Sequence, residues 1–582
     1  MKKLMLGNEA VARGAYEAGV SVVSSYPGTP STEVTEVISK KYDEIYSEWA
    51  CNEKVASEVA LGASFAGARS MTAMKHVGLN VAADPLYTAS YTGINGGLVA
   101  VVADDPGLHS SQNEQDTRNH GKASKIPVIE PSDSDECKEF TRLAYEFSEK
   151  FDTPVILRLT TRVAHSQSLV NIGEKCEYSL KDIEKNPGKY VMMPAMAKKR
   201  HEVVEKRCED ISEYGYECPF NKVEYNDKKI GIITCGISYQ YAKEVLPDAS
   251  YLKLGITYPI SEKLVKEFAS NVEKIYVIEE LDPFIEDFCR SIGIDVIGKE
   301  IFTKLGEYNS QMIKKAILGE DSPVEIKIDE NIPVRPPVMC PGCPHRGMYY
   351  ILKKLKLRVC GDIGCYTLGA LAPLSSVDYC VCMGAGIGMA HGMEKARGKE
   401  FTENTVAVIG DSTFIHSGIT GLIDVVYNKG LSTVIILDNS ITGMTGHQQN
   451  PTTGYTIKGE PTKNVDLIKL ANAVGIDRVV VADPFDLDNF EKIVKEEIST
   501  DEPSVIISQR PCALLKKVNY GAPCFIDNEK CKKCKMCMGI GCPAISVNEG
   551  NVSIDSSQCN GCKLCMNVCK FGAIEKAGEK NE

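Results

Sequence analysis

The cysteine spacing of the C-terminal tail constrains this chain more than any other feature. Eight cysteines fall in two short units, Cys531-x2-Cys534-x2-Cys537-x4-Cys542 followed by Pro543, and Cys559-x2-Cys562-x2-Cys565-x3-Cys569. A thiolate is a soft ligand, and four of them suit iron in a 4Fe–4S cluster. Two-residue gaps let one loop wrap three corners of a cube, and the fourth ligand then comes from the other unit. The spacing predicts Cys531, Cys534, Cys537 and Cys569 around one cluster and Cys559, Cys562, Cys565 and Cys542 around a second. Zinc sites use a longer gap between ligand pairs, so zinc and scattered free thiols are the weaker readings. Two clusters this close along the chain point to electron transfer rather than to structure alone.

The tail resembles bacterial two-cluster ferredoxins. It departs from them by an extra residue before Cys542 and by Lys570 where a proline usually follows the last cysteine, and neither change removes a ligand. The whole chain is far longer, 582 residues with 43% hydrophobic and 25% charged side chains, enough for several domains with full cores. Acids outnumber bases 78 to 66, a net charge of −12, which excludes a general binder of nucleic acid or anionic membranes. No uninterrupted apolar run approaches the roughly 18 residues of a membrane span. Asn8, Glu9 and Arg13 come too early for a secretory signal core. A cytoplasmic location is expected, where thiols stay reduced. The 23 cysteines are then ligands or inert core thiols, as expected for Cys235 within IGIITCGIS.

Upstream of the tail the pattern is α/β. VSVVSSYPGTPST reads as a strand, a turn and a helix start, and GGLVAVVADDP and TPVILRLTTR read as buried strands of a parallel sheet. A charge-rich, aliphatic-poor stretch follows and reads as a connector with some helix. KIGIITCG and EKIYVIEEL are strands around the helix YQYAKEVL. The proline-dense ENIPVRPPVMCPGCPHR opens a further region of strand and helix units.

In that region VAVIGD (406–411) is a strand ending in Gly410-Asp411, SGITGLIDVVYNKG a helix, and STVIILDNS a second strand ending in Asp438-Asn439. A right-handed crossover brings both strand ends to one edge of a parallel sheet, where ligands bind. Asp411 and Asn439 then offer two hard oxygens to Mg2+, and the carbonyl of Ile441 a third. Thiamine diphosphate enzymes carry this pattern as Gly-Asp-Gly and Asn-Asn; here Ser412 and Asp438 replace one member of each. CMGAGIGMAHG, with Gly384 and Gly386, supplies a glycine-rich helix entry suited either to a diphosphate or to close helix–sheet packing. Thiamine chemistry also needs a glutamate on the aminopyrimidine ring. Glu53 and Glu58, in CNEKVASEVALGASFAGAR, are the candidates.

Taken together these features resemble the 2-oxoacid:ferredoxin oxidoreductases over essentially the whole chain, and within them a large subunit for arylpyruvates. YPGTPSTEV resembles the family's N-terminal turn and puts Thr29 near cofactor and substrate carboxylate. Alignment on GAS selects Glu53 over Glu58. MKHVGLN and HSSQNEQDTR resemble loops of that subunit, making His76 and His109 candidates for catalytic contacts. LDNSITGMTGHQQ resembles the metal loop. CPGCPHR, GDIGCY and QRPCALL imply a third cluster on Cys340, Cys343, Cys365 and Cys512, with Cys360, Cys380 and Cys382 nearby.

The resemblance implies a pyrimidine-type thiamine diphosphate domain over 1–175, a connector over 176–228, a transketolase C-terminal-like α/β domain over 229–330, a diphosphate-type domain over 331–520 and a two-cluster ferredoxin domain over 521–582, the thiamine domains being doubly wound parallel sheets. It implies oxidative decarboxylation of an arylpyruvate to aryl-acetyl-coenzyme A and carbon dioxide, with electrons passed to ferredoxin. A smaller partner subunit is expected, in a dimer of heterodimers. A non-oxidative thiamine decarboxylase and an electron-transfer subunit with an inactive thiamine site are the rival readings. The aryl preference rests on resemblance alone, since nothing marks the 15 Phe, the 25 Tyr or the single Trp49 as ligand contacts.

Overall fold

The computed structural model describes residues 1–183, 185–320 and 336–578. They fall into two units, Met1–Asp329 and Glu330–Glu582. The proline-dense stretch begins outside the described residues, which resume at 336.

The first unit is built on a seven-stranded sheet in the order Ile256–Tyr258, Val128–Ile129, Val155–Thr160, Leu98–Asp104, Ser70–Lys75, Val22–Ser25, Tyr46–Trp49. All neighbours run parallel except the first pair. Leu98–Asp104 and Val155–Thr160 are buried along their whole length, as strands covered on both faces must be. Alternate side chains serve opposite layers. Val99, Val101 and Leu157 pack under the helices Gly7–Glu17 and Ser134–Phe151, through Val11, Ala15, Phe140 and Phe147. Ala100, Val102 and Ile156 face Leu79, Ala82 and Leu86 of the helix His76–Thr92.

A four-stranded sheet follows, Lys274–Ile278, Asp227–Cys235, Ala249–Leu254 and the antiparallel edge Lys222–Glu224. The chain then leaves it, and Ile256–Tyr258 joins the large sheet as an antiparallel edge on Val128–Ile129. The small α/β region therefore contributes a strand to the N-terminal sheet. Three residues carry too little periodicity to reveal such a strand in advance. A buried ionic cluster adds to the joint: Arg118 donates to Asp116 and to Glu279 (both 2.5 Å), while Arg158 donates to Asp104 (2.7 Å) and Glu130 (2.6 Å). Breaking one partner of such a buried pair costs about 3–5 kcal/mol. The connector contains the helix Pro194–Tyr214, tied down by Arg207 to the carbonyls of Ser90 (2.7 Å) and Asp152 (2.9 Å).

The second unit holds a five-stranded, fully parallel sheet in the order Arg358–Cys360, Thr405–Gly410, Thr433–Asp438, Ser504–Gln509, Arg478–Ala482. One face packs on Tyr349, Leu352 and Phe490, the other on Ile387, Leu422 and Val425. Cysteine-rich residues follow as two short antiparallel pairs, Cys524–Ile526 with Ile574–Lys576 and Ile545–Asn548 with Asn551–Ile554. Their Ile545, Val552, Leu564, Val568 and Ile574 share a core with Tyr349 and Leu352. The tail is thus packed onto the sheet domain rather than hung from it. Asn567 Nδ2 donates to the Phe485 carbonyl at 2.8 Å across this seam.

Candidate functional site

The carboxyl edges of the two parallel sheets carry the expected residues. In the second unit the register pairs Gly410 with Leu437 and Asp438 with Gln509, so the loops that follow start side by side. Asp411, Ser412, Asn439 and Ile441 are all buried there. Asp411 Oδ1 accepts from the Ser412 N–H (2.8 Å) and Oδ2 from the Thr452 hydroxyl (3.2 Å). Asn439 Oδ1 accepts from the Ile441 N–H at 3.2 Å. Burial, with Asp438 adding to it, pushes the Asp411 carboxyl up to about 7. Buried carboxylates of that kind are held ionised by a cation. The donor set of one carboxylate, one side-chain amide oxygen and one carbonyl is all oxygen, which fits Mg2+.

Ser412, the departure from Gly-Asp-Gly, is absorbed by the loop: the Thr442 hydroxyl donates to Ser412 Oγ at 2.9 Å. Gly384 sits before the helix Ala385–Arg397 with φ of +83°, and a Cβ there would lie 2.2 Å from Ser417 Oγ. Gly386 has a different duty. Its Cβ would stand 2.8 Å from the carbonyls of Cys360 and Gly361, so its smallness serves helix–sheet packing. Asp362 and Tyr366 escaped the sequence reading. The Asp362 carboxylate accepts from the Gly384 N–H (2.8 Å) and from the Tyr366 hydroxyl (2.7 Å), while Gly410 leaves room for that ring. No motif marks them; Asp362 is an acid within GDIGCY, and only its burial singles it out.

The tail cysteines gather in two groups. Cys531, Cys534, Cys537 and Cys569 line one cavity. Cys542, Cys559, Cys562 and Cys565 line another, with Cys524 as a fifth thiol that no spacing rule pointed to. Backbone N–H groups already aim at sulfur: Ala573 donates to Cys569 Sγ and Cys524 to Cys559 Sγ, each at 3.3 Å. Such N–H···S bonds stabilise thiolate charge around iron–sulfur clusters. Among the described residues no three His, Cys, Asp or Glu side chains close round a single ion. Cys340, Cys343, Cys365 and Cys512 also neighbour one another, each within electrostatic reach of others in the set. Burial pushes the thiols of Cys343 and Cys365 up, to about 12 and about 11. This set adjoins the metal loop: the Cys512 N–H donates to the Asn439 carbonyl at 2.9 Å, and a Cβ on Gly443 would touch Cys365 Sγ. All 23 cysteines are free thiols.

In the first unit Glu53 opens the helix Glu53–Phe65 and is buried, with Asn52 capping that helix through the Val55 N–H (2.9 Å). Its carboxylate lies against Gly78, where a Cβ would come 2.6 Å from Oε1. Glu58 is exposed and paired with Lys54. His76 is buried, its Nε2–H donating to the Asn113 carbonyl at 3.2 Å. Its Nδ1 is buried and has no hydrogen-bond partner among the described residues. Thr29 stands at the same sheet edge, its carbonyl 3.5 Å from Ser110 Oγ. Lys75 was not anticipated. It is buried, donates to the Ser110 carbonyl at 2.7 Å, and is pushed down to about 8 by desolvation against the opposing pull of Asp105. His109 is half exposed and its ring nitrogen pairs with Glu307 at 3.2 Å. HSSQNEQDTR ends in Asp116 and Arg118, which belong to the ionic cluster of the fold. A cavity of about 740 Å³, lined by Tyr258, Phe284 and Phe288 among others, contains none of the expected site residues.

No helix among the described residues is long and apolar enough to cross a membrane. Residues 13–228 match the family model of the pyruvate flavodoxin/ferredoxin oxidoreductase thiamine diphosphate-binding domain, residues 362–508 that of the C-terminal thiamine pyrophosphate-binding domain, and residues 552–575 that of the 4Fe-4S binding domain. The chain therefore carries thiamine diphosphate-binding and 4Fe–4S-binding domains. It is 40% identical to the indolepyruvate oxidoreductase subunit IorA of Pyrococcus horikoshii, over 99% of this chain and 97% of that one. It is also 40% identical to the subunit of the same name from Archaeoglobus fulgidus, over 99% and 98%. A solved 2-oxoglutarate:ferredoxin oxidoreductase from Magnetococcus marinus superposes with a TM-score of 0.47 at 19% identity, covering 55% of this chain and 65% of that one. By its near full-length likeness to these subunits, the chain belongs to the indolepyruvate oxidoreductase subunit IorA family and is an oxidoreductase.

Proposed function

We propose that this chain oxidatively decarboxylates arylpyruvates, with indolepyruvate as the preferred substrate, giving aryl-acetyl-coenzyme A and carbon dioxide while reducing ferredoxin. One observation carries the reading. A buried all-oxygen donor set, Asp411, Asn439 and the Ile441 carbonyl, adjoins the cysteine set of Cys340, Cys343, Cys365 and Cys512, in a unit that also holds two thiol-lined cavities. When bound, thiamine diphosphate supplies an electron sink for loss of carbon dioxide. The protein's own groups do the rest. Asp411, Asn439 and the Ile441 carbonyl would hold Mg2+; Gly384, Gly410 and Ser412 would shape the bed for the diphosphate. Glu53, buried at the start of its helix, would meet the aminopyrimidine ring and move a proton at its carboxyl oxygen. Thr29 orients the substrate carboxylate, and His76 offers Nδ1 as a proton acceptor, a role neutral imidazole fills near neutral pH. His109, on its more exposed loop, contacts substrate at the rim.

Three 4Fe–4S clusters complete the reading: one on Cys340, Cys343, Cys365 and Cys512, one on Cys542, Cys559, Cys562 and Cys565, and one on Cys531, Cys534, Cys537 and Cys569. Clusters held by these cysteines would supply one-electron transfer towards ferredoxin. A smaller subunit joins this chain in a heterotetramer. The test is turnover of indolepyruvate, phenylpyruvate, pyruvate and 2-oxoglutarate by anaerobically purified enzyme, with and without coenzyme A and a viologen acceptor. Indolepyruvate should give the highest kcat/KM, and both additions should be required. Aldehyde released at full rate without an acceptor would refute oxidation.

A further inference from the structure

Arg346, the last residue of CPGCPHR, is 2% exposed. A buried guanidinium normally faces a carboxylate. Here its acceptors are backbone carbonyls: Cys340 (3.1 Å), Met339, Ile540 (3.1 Å) and Gly541. No carboxylate accepts from it among the described residues. Burial pushes the guanidinium down, and the cysteines that face it and oppose that shift are Cys343, Cys542, Cys340 and Cys562. Two of these belong to the CPGC loop and two to the second tail cavity, whose wall Arg346 itself forms.

The two loops are also locked together around it. Asn560 Nδ2 donates to the Pro341 carbonyl at 3.0 Å. Gly342, with φ of +72°, has no room for a Cβ, which would stand 2.2 Å from that amide. The contacts join Met339–Arg346 to both cysteine units of the tail.

We propose that Arg346 is the shared counter-cation of two neighbouring cluster sites, that of Cys340, Cys343, Cys365 and Cys512 and that of Cys542, Cys559, Cys562 and Cys565, and sets their reduction potentials together. This rests on the three-cluster reading above. Each site gains one electron on reduction and becomes one unit more negative, while no bond forms or breaks. A fixed cation in a low-dielectric setting stabilises the reduced form. The donor of those electrons is the substrate under oxidation, and the final acceptor a one-electron carrier protein. Arg346 would act through the cysteine sites whose loops it binds, so it is a positioning residue for the electron path.

The test is an EPR-monitored redox titration of anaerobic holoenzyme carrying Arg346→Gln or Arg346→Lys, beside iron analysis. Wild type should hold about twelve irons, four per cubane site. In Arg346→Gln both adjoining sites should become harder to reduce, with a reduced-to-oxidised ratio about tenfold lower at a fixed potential, equivalent to 59 mV for one electron. The site of Cys531, Cys534, Cys537 and Cys569 should not move. Arg346→Lys keeps the charge and should restore most of the ratio, a rescue that a purely structural role would not predict. Full iron with unmoved potentials, or movement at one site alone, would overturn the bridge. A lysine variant shifted as far as the glutamine one would overturn the charge argument, and it serves as the measurement should the glutamine variant not fold. Wild type with about eight irons would remove the three-cluster reading itself, and the bridge with it.

Discussion

Gly78→Ala is the sharpest probe of the first-unit site, because its effects on stability and on turnover should part. In the helix His76–Thr92, alanine gains about 1 kcal/mol over glycine in intrinsic propensity. Against this, the new Cβ would stand 2.6 Å from Glu53 Oε1, 2.7 Å from its Cγ and 2.9 Å from its Cδ. Relief requires the whole carboxylate to retreat by about 1 Å, and overpacking of this kind costs about 1–3 kcal/mol. The net stability change is thus a loss of at most about 2 kcal/mol. Misplacing a reacting group by about 1 Å costs on the order of 100-fold in rate, or about 2.7 kcal/mol of barrier. The assays are thermal unfolding and anaerobic turnover, with exchange of the thiazolium proton followed by acid quench and NMR. Glu53→Gln should fall by about 100- to 10,000-fold in the same assays, and Glu58→Gln, altering an exposed ion pair, should change neither. Gly78→Ala with wild-type exchange and turnover would refute Glu53 as the group that moves the proton.

Further outcomes follow from other parts of the structure. Cys534→Ser and Cys569→Ser should each remove the same cluster signal and spare the other, whereas Cys542→Ser should remove the second, as read by iron content and EPR; different losses for Cys534 and Cys569 would break the predicted pairing. Asp411→Ala should abolish the stabilisation that excess thiamine diphosphate and Mg2+ give the wild type, about 2.7 kcal/mol at one hundred times Kd, measured as the shift of Tm on adding them. Lys75 is held near 8 in the fold by burial, against about 10.4 in an unfolded chain. Between those values the unfolded state binds the extra proton, so stability rises with pH across that window. The rise amounts to about 3 kcal/mol, and Lys75→Met should lose it in unfolding curves taken from pH 7 to pH 11.

What was legible in this sequence was chemistry that local spacing alone dictates. Two-residue gaps between thiols force three of them round one cavity, and a strand that ends in an acid puts that acid at a sheet edge. Cys531 to Cys569 and Asp411 with Asn439 needed no tertiary information beyond this. Glu53 was legible only with help, since an acid at a helix start is commonplace; its burial against Gly78, a residue of another motif, is what separates it from Glu58. The rest depended on contacts between distant segments. Ile256–Tyr258 becomes a strand because Val128–Ile129 presents an open edge, not because of its own three residues. Asp362 matters because Gly384, twenty-two residues on, turns its N–H towards it. HSSQNEQDTR draws attention through His109 alone, and Arg118 at its end needs Glu279 beside it to show that it joins two sheets. Ser412 makes the same point in reverse. As a departure from Gly-Asp-Gly it counted against the motif, and only the Thr442 hydroxyl reaching its Oγ shows the loop accommodating the extra atoms. A changed motif residue is therefore best judged by whether the fold supplies its new atoms with partners.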